Sequence, residues 1–81
     1  MLNLSVISPE AVLYEGQTDS VVAPAFDGEV GILTGHAPMM TLLGKGVLRL
    51  GDGKRFEVDG GFLQVVENAV RTAKRATDED E

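Results

Sequence analysis

Val47-Leu48-Arg49-Leu50-Gly51-Asp52-Gly53-Lys54-Arg55-Phe56-Glu57-Val58 is the stretch that decides the fold. Val47, Leu48 and Leu50 lead into a Gly-Asp-Gly turn, and Phe56 and Val58 follow on its far side. Asp-Gly supplies the positive φ that tight hairpin turns require, so two apolar strands meet here as a β-hairpin. The same period of two recurs outward in both directions. C-terminally, Gly60-Gly61 opens Phe62-Leu63-Gln64-Val65-Val66, and Glu67-Asn68 turns the chain into Ala69-Val70-Arg71-Thr72-Ala73. N-terminally, Leu2, Leu4 and Val6 alternate with Asn3 and Ser5 until Ser8-Pro9-Glu10 breaks the run. Ala11 to Glu15 reads as a second strand closed by Gly16, and Thr18 to Ala23 as a third, with Pro24 ending its regular pairing. A turn at Asp27-Gly28 precedes a short strand from Glu29 to Leu33, and Gly35-His36-Ala37-Pro38 breaks the chain again. Met39 to Leu43 is apolar but too short to assign by periodicity.

Strands recurring about every 8–12 residues with turn signals between them are the pattern of a sandwich or barrel. No helical stripe of useful length interrupts them before Asn68. The 81 residues make one domain. The expectation is therefore an all-β, single-domain protein over residues 1–76, with an acidic, disordered tail at 77–81. The segment from Ala73 onward is too short and too acidic to pack as a helix by itself. Apolar residues are 43% of the chain and aromatics only 5%, so Val, Leu, Ile and Ala must build the core. Ten glycines are in keeping with a chain rich in tight turns.

Seven basic residues stand against 13 acidic ones, for a net charge of −6. Four of those acids are Asp78-Glu79-Asp80-Glu81, which leaves the rest near −2. Neither value suits a nucleic-acid binder, which needs a basic face to displace condensed counterions. Direct adsorption to an anionic membrane is disfavoured for the same reason. No cysteine is present, which excludes disulfides, thiolate chemistry and cysteine-based metal sites. No apolar run approaches the ~20 residues that span a bilayer, and the N-terminus lacks the regions of a signal peptide. These features point to a cytoplasmic chain whose membrane association comes through a partner.

The search for reactive chemistry is mostly negative. A single His with scattered acids does not make a metal site of the usual ligand count. Ser5, Ser8 and Ser20 sit in no recognisable nucleophile turn, so a Ser–His arrangement around His36 has no support. No glycine-rich run is followed by Lys-Ser or Lys-Thr, the mark of a phosphate-cradling loop. No catalytic, cofactor-binding or metal-ligating residue is expected. The informative region is Ala25-Phe26-Asp27-Gly28-Glu29-Val30-Gly31-Ile32-Leu33-Thr34-Gly35-His36-Ala37-Pro38-Met39. It reads either as turns joining short strands or as a rigid segment that presents Glu29 and His36 outward, as binding loops on β scaffolds do. Gly60-Gly61 is open in the same way, as a turn or as a bulge that aims a strand edge at a neighbour.

The run Asp27-Gly28-Glu29-Val30-Gly31-Ile32-Leu33-Thr34-Gly35-His36-Ala37-Pro38, with Gly46-Val47-Leu48-Arg49 and Gly60-Gly61-Phe62-Leu63-Gln64-Val65 after it, closely resembles the epsilon subunit of F-type ATP synthases. Leu4-Ser5-Val6-Ile7-Ser8-Pro9-Glu10 looks like that family's opening strand and first turn, and the resemblance runs from Leu2 to about Ala76. It implies a flattened β-sandwich of about ten short strands without a catalytic residue. It also implies a place in the central stalk, bound to the gamma subunit and resting on the c ring, with alpha and beta subunits in the same complex. The location implied is the cytoplasmic face of the bacterial plasma membrane, peripheral to it. Ser8 and His36 match positions at the gamma contact, and Met39 and Met40 lie beside His36 as adaptable apolar surface or as core. Gly28, Glu29 and Val30 match the bottom loop that meets the c ring, where a surface ion pair is worth ~0–1 kcal/mol. Longer members continue into two C-terminal helices that inhibit ATP hydrolysis and in some bacteria bind ATP. Here the sequence stops at Glu81, as a natural short form or as a piece of a longer chain; the acidic ending favours the short form, for which neither that inhibition nor nucleotide sensing is expected.

Two other classes compete. A freestanding sandwich that binds a small ligand would need a pocket with convergent polar groups, and no such cluster is evident in the sequence. A lipoyl- or biotinyl-type carrier would need its modified lysine on a hairpin tip. Lys54 is the only candidate, and it lacks the Asp-Lys-Ala or Met-Lys-Met setting of those families. Protein isolated from its native cells is expected to show the unshifted mass of the bare chain in intact mass spectrometry; a lipoyl or biotinyl increment would revive the carrier.

Overall fold

A computed structural model describes residues 1–74. Nine strands follow one another along the chain: β1 (Leu2–Ile7), β2 (Val12–Thr18), β3 (Ser20–Ala25), β4 (Gly28–Leu33), β5 (Met39–Leu42), β6 (Lys45–Leu50), β7 (Arg55–Asp59), β8 (Gly61–Val66) and β9 (Ala69–Lys74). They form a five-stranded sheet in the order β2-β1-β9-β8-β5 and a four-stranded sheet in the order β4-β3-β6-β7. The all-β sandwich expected from the sequence is the observed fold, with nine strands among the described residues where about ten were expected. The first and last of these strands, β1 and β9, run parallel and adjacent inside the larger sheet; every other pairing is antiparallel.

The alternation seen in the sequence fills the space between the sheets. Leu2, Leu4 and Val6 of β1, Leu63 and Val65 of β8 and Val70 of β9 point inward from one side. Val21, Ala23, Ile32, Leu48, Leu50 and Val58 meet them from the other. Along one open side the edge strands β2 and β7 are joined by Tyr14 and Phe56, whose ring centroids lie 5.4 Å apart at 51°. Along the other, an isolated Ala25–Leu43 bridge and the bond from Phe26 N to Leu42 O tie the two sheets together. Each buried aliphatic side chain contributes roughly 1.5–3 kcal/mol, which is how a core without Trp holds a domain this small.

Several boundaries differ from those expected, each for a tertiary reason. Gly16 does not close β2, which continues to Thr18. A side chain at Gly16 would collide with the Tyr14 ring folded back over it, so the glycine is a packing requirement inside a strand. Thr18 ends β2 and does not begin β3. Its buried hydroxyl donates to the Ser20 carbonyl at 3.1 Å and accepts from Gly51 N at 3.3 Å, fastening the sheet-to-sheet crossing to the β6–β7 turn. Pro24 does not end pairing with β4, where it stands opposite Glu29. Its missing N–H is tolerated because β3 pairs with β6 only at Val21 and Val22, and its ring packs where Gly46 has no side chain. β9 runs to Lys74, one residue beyond the strand read as far as Ala73; the expected disordered segment at 77–81 lies outside the described residues.

The Asp-Gly hairpin closes as read. Asp52 accepts Lys54 N at 3.0 Å and pairs with Lys54 Nζ at 3.1 Å, and these bonds hold its carboxyl below the usual carboxylate range. One buried group is left over. Thr72 is fully buried between Val6 and Leu63, and its hydroxyl has no partner among the described residues. A desolvated, unpaired hydroxyl costs about 1–3 kcal/mol. The isosteric Thr72→Val variant should therefore gain about 1 kcal/mol in urea unfolding, and a loss of stability would show that the hydroxyl is satisfied.

Candidate functional site

The strands give the sandwich two ends. One carries the β3–β4 turn, the β5–β6 connection, Gly60 and the Ser8–Ala11 turn. The other carries the end of β4, the β6–β7 hairpin and the β8–β9 turn. Strand β4 runs from the first end to the second. Its five steps span about 17 Å, with Glu29 near its start and His36 just beyond its finish.

At the first end, Phe26 and Asp27 make the turn and Gly28 follows at φ 136°, a region closed to most side chains. Gly28 and Glu29 are exposed, whereas Val30 packs against the core. The Glu29 carboxylate is turned across β3 toward Arg49 of β6, at 3.4 Å between Oε2 and the guanidinium. Both side chains are exposed, so the pair is worth ~0–1 kcal/mol and yields readily to a stronger basic partner. Arg49 also lies directly opposite Arg55 of β7, a like-charge neighbour that Glu29 offsets.

At the second end, His36 N donates to Leu33 O at 3.0 Å and closes a turn over Thr34 and Gly35. Gly35 has φ 87°, the third-position geometry of a type II turn. Nothing lies within 4 Å of where its Cβ would be, so glycine is there for its backbone freedom alone. The His36 Nδ1 sits 2.7 Å from Ala37 O. A carbonyl only accepts, so Nδ1 carries a proton, and Nε2 has no described partner. Met39 packs against the core, and Met40, on the opposite face of β5, is 65% exposed. The two methionines thus divide between core and surface.

Ser8 stands apart from this group. It lies beyond Ile7 at the first end, three strand spacings (about 14 Å) from β5. Its backbone closes a turn with Ala11 in both directions, and its hydroxyl bonds to Ala11 O at 3.3 Å. The structure therefore gathers His36, Met39 and Met40 at one end and places Ser8 at the same end as Gly28 and Glu29. Lys54, the carrier candidate, is engaged with Asp52. Arg49 and Asn68 were not legible as site residues, because each acts across strands far away in sequence. The only local hint was the Glu67-Asn68 turn, where both residues take positive φ.

The β-sandwich domain model of the ATP synthase delta/epsilon chain matches residues 1–76. The chain belongs to the ATP synthase delta/epsilon family. Among relatives of this delta/epsilon family, the ATP synthase epsilon chain of Leptospira borgpetersenii is 50% identical over 72 residues, covering 85% of this chain and 57% of its own length. That of Desulforamulus reducens is 42% identical over 80 residues, covering 90% and 61%. The chain thus spans somewhat more than half the length of these epsilon relatives. In fold it matches a chain of the Euglena gracilis mitochondrial ATP synthase with TM-score 0.78 at 22% identity, covering 90% of this chain and 49% of that one. A chain of the Tetrahymena thermophila mitochondrial ATP synthase central stalk and c ring matches at 0.75 and 14%, covering 93% and 63%.

The geometry at Gly35 gives a direct check on how this epsilon-type segment is built. Gly35→Ala should cost about 1–2 kcal/mol, from left-handed strain and with no steric clash. Denaturant unfolding with a change below a few tenths would contradict the turn.

Proposed function

We propose that this chain is a non-catalytic coupling element of the central stalk of a bacterial F-type ATP synthase. In this reading it binds the gamma subunit and rests on the c ring, within the complex that also holds alpha and beta subunits. It is peripheral to the cytoplasmic face of the plasma membrane. The observation that carries the reading is the placement of Glu29 and His36 near opposite ends of one strand, β4, locked into a packed sandwich. Torque passed between a ring and a shaft needs a stiff body with two adhesive surfaces, and β4 supplies a fixed separation between them.

At the first end, the β3–β4 turn presents Gly28 and the Glu29 carboxylate to the polar loops of the ring. A basic loop residue there would compete with Arg49 for Glu29, an exchange that the weak, exposed pair permits at little cost. Val30 acts behind it as a core residue that fixes the turn. At the second end, the His36 ring and the exposed Met40 offer gamma a hydrogen-bonding imidazole nitrogen beside an adaptable apolar surface. Met39 supports them from the core side. Ser8, at the other end, serves its own turn first, and any gamma contact it makes is separate from that of His36.

Affinity capture from gently solubilised native membranes, with this chain as bait, should recover gamma together with alpha, beta and c subunits. His36→Ala should weaken recovery of isolated gamma several-fold, and Glu29→Gln should weaken recovery of isolated c ring at most about fivefold. Each variant should leave the other partner unaffected. Recovery of none of these subunits, under conditions that keep the synthase intact, would overturn the reading.

A further inference from the structure

The turn between β8 and β9 reaches across the end of the sandwich to the segment that carries His36. Glu67 and Asn68 both take positive φ, 49° and 66°, the backbone of a type I′ hairpin turn. Asn68 tolerates that conformation better than most residues, and its side chain is left free to bond elsewhere. Its Oδ1 accepts the Gly35 amide at 2.7 Å, across 33 residues of sequence. Its backbone carbonyl accepts Asn3 N at 2.7 Å. One residue therefore joins three chain segments: the start of β1, the β8–β9 turn and the turn that follows β4.

The Gly35 bond matters because little else fixes that turn. Gly35 and Thr34 are exposed, and no side chain packs within 4 Å of the Gly35 Cβ position. Besides the Asn68 side chain, the described bonds in this turn are local, from His36 N to Leu33 O and between His36 Nδ1 and Ala37 O. The chain rejoins the larger sheet at Met39, where β5 pairs with β8, and the Asn68 acceptor is the described side-chain link that sets the turn before it, and with it the imidazole, relative to that sheet.

We propose that Asn68 is a positioning residue for His36, latching the Gly35 turn to the β8–β9 hairpin so that the imidazole meets its partner in one fixed pose. The latch is a property of the free chain; its consequence for binding rests on the reading of His36 as a gamma contact.

Asn68→Gly is the informative variant, since glycine keeps the positive φ and the backbone carbonyl and removes only the side-chain acceptor. Amide hydrogen exchange by NMR on the full chain should show the Gly35 amide exchanging roughly tenfold faster, with the Asn3 and Thr72 amides unchanged. Asn68→Asp, which restores an acceptor oxygen and tolerates the turn, should return Gly35 to near its original rate. Binding of isolated gamma should weaken several-fold in Asn68→Gly and recover in Asn68→Asp. Combining Asn68→Gly with His36→Ala should weaken binding no more than His36→Ala alone. An unchanged Gly35 rate, or equal acceleration of Gly35, Asn3 and Thr72, would overturn the latch. A freed Gly35 amide with undiminished gamma affinity, where His36→Ala does weaken binding, would overturn its role in positioning. Normal gamma binding by His36→Ala would instead defeat the reading of His36, and the exchange rates alone would then decide the latch.

Discussion

Apolar contact between the inner faces of two small sheets is the interaction on which the rest of the molecule depends. The side chains that make it are short and branched, so each sheet must keep strict alternation to bring them into register. A slip of one residue would turn a whole strand inside out. The parallel pairing of β1 with β9 sets the first strand beside the last described one, and Tyr14 against Phe56 closes one margin between the sheets. The turns at either end are short because the plates are already aligned, and short turns on aligned plates hold their side chains in fixed positions.

That rigidity gives the surface its meaning. Glu29 and His36 are 7 residues apart in sequence, yet β4 carries them toward opposite ends of the sandwich, a separation the core does not allow to change. Neither residue is left to solvent alone. Arg49 holds the Glu29 carboxylate from across β3, and the main chain of Ala37 fixes the protonated nitrogen of His36. These are weak, exposed interactions individually. Their effect is to restrict the poses each group offers, which lowers the ordering cost of binding a partner. Prepared contacts of this kind at two ends are what the proposed coupling role calls for.

Much of this architecture was legible in the sequence, and the reasons are local. The Gly51-Asp52-Gly53 turn dictates its hairpin through backbone conformation, and the alternation in β1, β8 and β9 needs no tertiary information. The resemblance around Gly35-His36-Ala37-Pro38 likewise pointed to the right family and sandwich. What escaped was non-local. Gly16 looked like a terminator because the Tyr14 ring above it is a matter of rotamer. Pro24 looked like a breaker because the divergence of β6 from β3 cannot be read from either strand. Met39–Leu42 became a strand only by pairing with β8. At the candidate site the sequence singled out residues of the right kind but not their grouping. Ser8 proved distant from His36, the two methionines parted to opposite faces, and Arg49 and Asn68 emerged only once strands remote in sequence were laid side by side.

The central claim, that one rigid sandwich presents separate contact surfaces at its two ends, is tested most directly by amide hydrogen exchange on the chain alone and within the assembled synthase. The account predicts two protected segments on assembly, residues 26–30 and residues 34–40, with exchange in β3 unchanged because that strand is already paired on both sides. Protection at one end alone, or at neither, would contradict it.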